Sequence, residues 1–257
     1  MKKKAAYLIS FILVISLLLP AGIVIAAQIS DDPQAVATVR VKVAHFAPFA
    51  DSLDGTSVTV KVDGADALTD FKFGDITDYL DFEPGSYLIE IVPTGSTSAA
   101  ISGTVTLTSG TDYTLSAIGD GTKQPLELFA LVDDNMASMS EAKLRIAHLA
   151  PFASNIDDTK VDICTDDGSV VAGLTDIPYK GYTDPYLNLP AGDYDLKIAA
   201  AGSSCATTLI DIPRIKLENQ LVASVFAVGD VTNFAPSVIT DPDITVTYYI
   251  LFPYISR

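Results

Sequence analysis

The chain of 257 residues carries a second copy of itself. Val43 to Leu53 reads VAHFAPFADSL, and Ile146 to Ile156 reads IAHLAPFASNI. Ala44–Gly64 lies over Ala147–Asp167 at an offset of 103, Asp78–Ile91 over Pro185–Ile198 at 107, and Leu115–Asp120 over Val225–Asp230 at 110. An offset that grows between matching blocks is what loop insertions between retained elements produce. A duplicated chain must fold as two versions of one unit. The matches place one module at residues 38–134 and the other at 141–240, with the short connector Asn135–Ser140 between them.

Within each module the hydrophobic period is two. Val39, Val41 and Val43 alternate with Arg40 and Lys42, and Val58, Val60 and Val62 with Thr59 and Lys61. Tyr87, Ile89 and Ile91 form another such row, and the second module answers with Leu144 and Ile146, Val161 and Ile163, and Tyr194, Leu196 and Ile198. Turn signals such as Asp63-Gly64, Pro84-Gly85, Ser109-Gly110 and Ala191-Gly192 punctuate these rows. Short alternating strands between regular turns predict an all-β fold: two tandem immunoglobulin-like (Greek-key) β-sandwich modules, following each other like beads.

The series RVKVAHFAPFA, VTVKVDG, YLDFEPGSYLIEI and YTLSAIGD resembles domain-of-unknown-function family 4397. The series LRIAHLAPFA, VDICTDDG, YLNLPAGDYDLKI and VFAVGD resembles it equally, so the likeness spans nearly all of both modules. The resemblance implies a secreted, immunoglobulin-like sandwich, usually in tandem. It brings no activity and no catalytic residues.

Ahead of the modules, Lys2, Lys3 and Lys4 precede an uncharged run from Ala5 to Ala27 broken by Pro20 and Gly22. A basic stretch, an apolar stretch and small residues after a helix breaker read as a signal peptide over residues 1–27, cut after Ala26 or Ala27. The alternative is an uncleaved anchor. Either way the chain is exported: secreted, at the cell surface or periplasmic. Without the three lysines the chain holds 13 basic against 32 acidic residues. That balance repels phosphate backbones, so nucleic acid is not an expected partner, and a membrane is one only through an uncleaved signal segment. The two cysteines, Cys164 and Cys205, read as a disulfide in an exported protein, with free thiols as the alternative.

The two histidines, His45 and His148, occupy the same place in the repeated phrase. Each shares the parity of the inward valines or of Leu144 and Ile146, so each ends the core-facing row of its strand just before Pro48 or Pro151. A structural role is expected, with Asp54 and Asp157 as hydrogen-bond partners. One imidazole per module with no second soft ligand beside it makes a poor zinc site. Gly85 and Gly192 are expected to supply a positive φ, and Tyr87 and Tyr194 to begin inward rows.

No nucleophile elbow, zinc-protease motif or phosphate-cradling loop occurs, so the chain reads as not an enzyme. As to cofactors, none is required. Calcium stays open through Asp157, Asp158, Asp162, Asp166 and Asp167, which lack the EF-hand spacing. Residues 241–257, DPDITVTYYILFPYISR, have no counterpart in the first module. They read as an extra strand that closes an edge of its own sandwich, or one offered to another molecule for self-association. The expectation is a secreted or cell-surface structural, adhesion or binding protein whose partner is an extracellular protein or glycan. The alternative is a calcium- or small-ligand-binding module that uses its inter-strand loops.

Overall fold

The computed structural model describes residues 38–245. The signal segment lies outside the described residues, as does the tail from residue 246 onward. The first copy contains β1 (Val39–His45), β2 (Val58–Val62), β3 (Ala65–Phe71), β4 (Leu80–Phe82), β5 (Gly85–Pro93), β6 (Ile101–Leu107), β7 (Asp112–Ile118) and β8 (Glu127–Asp133). The second contains β9 (Ala142–His148), β10 (Val161–Thr165), β11 (Leu187–Leu189), β12 (Gly192–Tyr194), β13 (Leu196–Ala200), β14 (Thr208–Asp211), β15 (Ile215–Leu217), β16 (Val222–Val228) and β17 (Ser237–Asp241).

The architecture is an all-β sandwich used twice, with a strand order compatible with the immunoglobulin-like expectation. In the first copy a sheet ordered β4-β1-β7-β8 covers one ordered β3-β2-β5-β6. In the second, β11-β9-β16-β17 covers β10-β13-β14 and the short pair β12-β15. The first strand of each copy runs parallel to a late one, β1 beside β7 and β9 beside β16. Alternation places the cores where the sequence pattern puts them: Val39, Val41, Val60, Ile89, Ile91 and Leu115 are buried in one, and Leu144, Ile146, Ile163, Ile198 and Val225 in the other. The copies differ where the first has β3. There the second runs a loop, residues 166–184, whose Leu174 and Ile177 pack onto its core.

The bead-like arrangement needs correction. A further core joins the copies, built from Ala44, Phe46, Ile118 and Leu131 of the first and Ala147, Leu149, Tyr179, Phe226 and Val228 of the second. Phe46 and Phe226 meet with ring centroids 4.9 Å apart. The sheets holding β1 and β9 are therefore covered on both faces. Strands buried on both faces read as near-continuous apolar runs, which explains YTLSAI in β7 and VASVFAV in β16. Burying each such aromatic or aliphatic side chain contributes roughly 1.5–3 kcal/mol, so this face is a strong joint.

Charged groups close its rim. Arg145 of β9 is 2% exposed and lies 2.7 Å from the carboxylate of Asp133 in β8. Its guanidinium also donates to Ser224 Oγ at 3.1 Å and to the Val132 carbonyl at 3.3 Å, and faces the rings of Tyr186 and Phe226. Asp133 accepts in turn from Tyr79 at 2.7 Å and Thr114 at 2.8 Å. Lys42, the counterpart of Arg145 in the first copy, pairs with Asp241 of the second. Each copy thus sends a cation from its first strand to an acid on the last strand of the other.

Candidate functional site

Both histidines stand at the inner end of their strands with both ring nitrogens engaged. His45 Nε2 donates to the Thr56 carbonyl at 2.9 Å, and its Nδ1 accepts from the Ala47 amide at 3.3 Å. His148 repeats this with Thr159 at 2.8 Å and Ala150 at 3.5 Å. Phe49 and Phe152, the phenylalanines of the Ala-Pro-Phe turns, stack on the two imidazoles at 5.8 and 5.4 Å. Burial lowers the His45 pKa from its ordinary value and takes His148 down to about 4. Burial favours the neutral form of both rings, and each spends its two nitrogens on backbone groups.

The expected partners were the wrong ones. Asp54 instead binds Lys72, and Asp157 binds Lys160. The partner in each copy is a threonine at the end of a short 3-10 turn. The hydroxyls of Thr56 and Thr159 donate back to Leu53 and Ile156 and accept from the amides of Phe73 and Tyr179. A backbone carbonyl is the better acceptor here because it is fixed and uncharged, and a buried carboxylate would need a counter-charge.

Other signature residues hold the frame. Pro48 and Pro151 are buried. The Pro48 carbonyl accepts from Asn233 of the second copy at 2.8 Å. Tyr87 and Tyr194 are half-buried and donate to carbonyls four residues back, Glu83 at 2.9 Å and Pro190 at 2.8 Å. Neither Gly85 nor Gly192 has the expected positive φ. Nor does space demand glycine: a Cβ there would meet the tyrosine ring at 3.7 or 3.8 Å, an ordinary van der Waals contact. The positive φ falls instead at Gly119 and Gly229, where a Cβ would come within 1.9 Å of the Pro125 carbonyl or 2.5 Å of that of Ala235. Asp120 and Asp230 follow them, and each carboxylate gathers three successive loop amides. The recurrence of Gly-Asp in LSAIGD and VFAVGD is the sequence signal by which this turn could have been found.

Cys164 and Cys205 form a disulfide with Cα atoms 6.1 Å apart, tying β10 to the loop after β13. Such a bond belongs to an oxidising compartment. The five calcium candidates do not converge. Buried Asp162 accepts from the amides of Asp176 and Gly202, Asp157 pairs with Lys160, and Asp167 accepts from Thr165 and Ser169. Among the described residues no group of three or more His, Cys, Asp or Glu side chains could hold a metal ion.

One open feature was not anticipated from the sequence. A groove of about 490 Å³ runs beside β11, its lining including Leu174, Ile177, Tyr182 and Tyr186. Tyr182 stands over it with 43% of its surface exposed and its ring edge-on to Phe129 of the first copy at 6.1 Å. Thr183 pins this stretch to β9: its amide donates to the Ile146 carbonyl at 2.9 Å, and its hydroxyl accepts from the Ile146 amide at 3.0 Å. Asp184 and Asn188 are exposed at the groove, and neither side chain is bonded to another described residue. No lysine or arginine lines it. The bridge that Tyr182 makes to Ala147 is made in the first copy by Ile76 to Ala44, so the aromatic wall belongs to the second copy alone.

The match that decides the family covers both copies. The model of a domain of unknown function, DUF4397, fits residues 39–159 and again 157–247. The chain belongs to the DUF4397 family. No curated protein matches this DUF4397 chain. Among solved structures it is similar to the family 41 carbohydrate-binding modules from streptococcal virulence factors, described as recognising alpha-glucan. That match has 15% identity over 78% of this chain and 96% of that one, with a TM-score of 0.24. It is also similar to the Bacillus anthracis TIE protein, at 15% identity over 79% of this chain and 34% of that one, with a TM-score of 0.20. TM-scores of that size carry no functional argument.

Proposed function

We propose that this DUF4397 protein is an exported, non-enzymatic binding protein that acts at the cell surface or beyond it as one rigid two-module body. The observation that carries this reading is an open, partnerless groove on an otherwise locked scaffold. Both imidazoles hold backbone groups, the aspartates of the turns cap loops, and the buried ion pair joins the modules. Among the described residues, Tyr182 with Asp184 and Asn188 face solvent in a concave place whose lining includes an exposed aromatic. Concave surfaces with an apolar floor and a few convergent polar groups are where small ligands bind. The disulfide supports export, and adhesion or matrix assembly would use the same fixed geometry.

A binding screen tests the reading. The purified chain without its leader is immobilised and exposed to panels of glycans and extracellular proteins. Saturable binding without chemical change of the ligand is the expected result. Turnover of any panel member would overturn the non-enzymatic assignment.

A further inference from the structure

We propose that the groove beside β11 is a binding site for a neutral oligosaccharide, which rests on the binding-protein reading above and adds the class of ligand.

A sugar ring presents two chemistries at once, an apolar C–H face and a rim of hydroxyls that both donate and accept. The groove offers the complement of each. Tyr182 gives an exposed ring whose orientation is held by Phe129 behind it and by the two backbone and hydroxyl bonds of Thr183. Because the platform is already ordered, a ligand that stacks on it forfeits little conformational entropy. Asp184 supplies acceptors only, and Asn188 supplies both a donor and an acceptor, which suits neighbouring hydroxyls. Both side chains are unengaged among the described residues, so binding breaks no existing protein bond. At about 490 Å³ the groove falls in the range of small-molecule sites and is open to solvent, which leaves room for a chain of sugars to extend beyond it.

Other ligand classes fit less well. An anionic ligand would meet Asp184 with no cation in the lining, on a chain of 32 acidic and 16 basic residues. An acyl chain would strip water from Asp184 and Asn188 without replacing their hydrogen bonds. A peptide adding to the sheet would pair with β11, but this edge strand is three residues long, a short ladder for β-augmentation.

The test is calorimetric titration of the full chain without its leader. The probes are hexasaccharides of α-1,4-glucose, β-1,4-glucose, β-1,4-N-acetylglucosamine and α-1,6-mannose, with oligogalacturonate as the acidic counterpart. At least one neutral probe is expected to bind. Tyr182→Ala should weaken it by about tenfold or more, Tyr182→Phe by no more than about twofold, and Asp184→Ala and Asn188→Ala each by several-fold, with melting temperatures near that of the parent. If a neutral probe binds and these variants leave its Kd unchanged, the groove assignment fails while the binding-protein reading stands. If oligogalacturonate binds tighter than every neutral probe, or only a protein from the wider screen binds, the ligand class is wrong. If nothing in either experiment binds, both readings fall.

Discussion

Arg145 of the second copy and Asp133 of the first form an ion pair at 2.7 Å with both side chains only 2% exposed. Tyr79 and Thr114 also donate to this carboxylate, and Ser224 and the Val132 carbonyl accept from the guanidinium. The pair is thus satisfied on several sides, as a buried pair must be to offset its desolvation. It lies on the sheet-to-sheet joint and links the last strand of one copy to the first strand of the next. Among the described residues the two sandwiches are therefore joined through one packed face.

Removing one member of this pair should cost far more than removing both. Arg145→Ala or Asp133→Ala alone leaves a buried, uncompensated charge, and each is expected to lower stability by about 3–5 kcal/mol. The double replacement Arg145→Met with Asp133→Leu should recover most of that loss. Urea unfolding of the four proteins checks this, and additive effects would mean the two groups do not interact.

His148 makes stability depend on pH. Burial lowers its pKa to about 4, against 6.5 for the exposed ring. Between these values the unfolded chain binds a proton that the folded chain refuses, so stability falls as pH drops below about 6.5 and this loss levels off near 4. The full effect is about 3 kcal/mol. Urea unfolding from pH 7 to 4.5 should show His148→Gln less stable than the parent at pH 7 but with a shallower decline. An unchanged slope would place the sensitivity elsewhere.

Calcium should do nothing. The carboxylate of Asp162 is engaged by two amides, Asp157 by Lys160 and Asp167 by its own turn, and the five acids form no group that could hold a metal ion among the described residues. Thermal melts with calcium and with chelator are expected to coincide. A rise of several degrees with calcium would show that these loops rearrange around the ion.

Reducing the disulfide should weaken the second copy. Cys164 and Cys205 are 41 residues apart in sequence, and closing a loop of that length stabilises by roughly 4 kcal/mol in the chain-entropy account. Cys164→Ala with Cys205→Ala should lower the urea midpoint accordingly, and no change would mean the bond is redundant with the core around it.

Much of this was legible in the sequence because period-two rows such as Val39, Val41 and Val43 state which face of a strand is inside. The same parity placed His45 and His148 inward. The other face carried no such statement: Lys42 and Ala44, like Arg145 and Ala147, meet the other copy. A row of small and charged residues looks alike whether it faces water or a matching sheet. The available clue was β7 and β16, where Ile118, Phe226 and Val228 make the second parity apolar too. The groove was hidden because it lies where the repeat offset changes, so Tyr182 was never set against Ile76. Gly85 lacks the positive φ because it already belongs to the extended strand β5 rather than to the turn before it.

The claim on which the rest depends is that the two sandwiches form one locked body, and scanning calorimetry of residues 28–257 tests it most directly. A single transition whose calorimetric enthalpy matches the van't Hoff enthalpy is the expected result. Two resolved transitions, or a calorimetric enthalpy about twice the van't Hoff value, would mean that the modules unfold independently and would contradict the account.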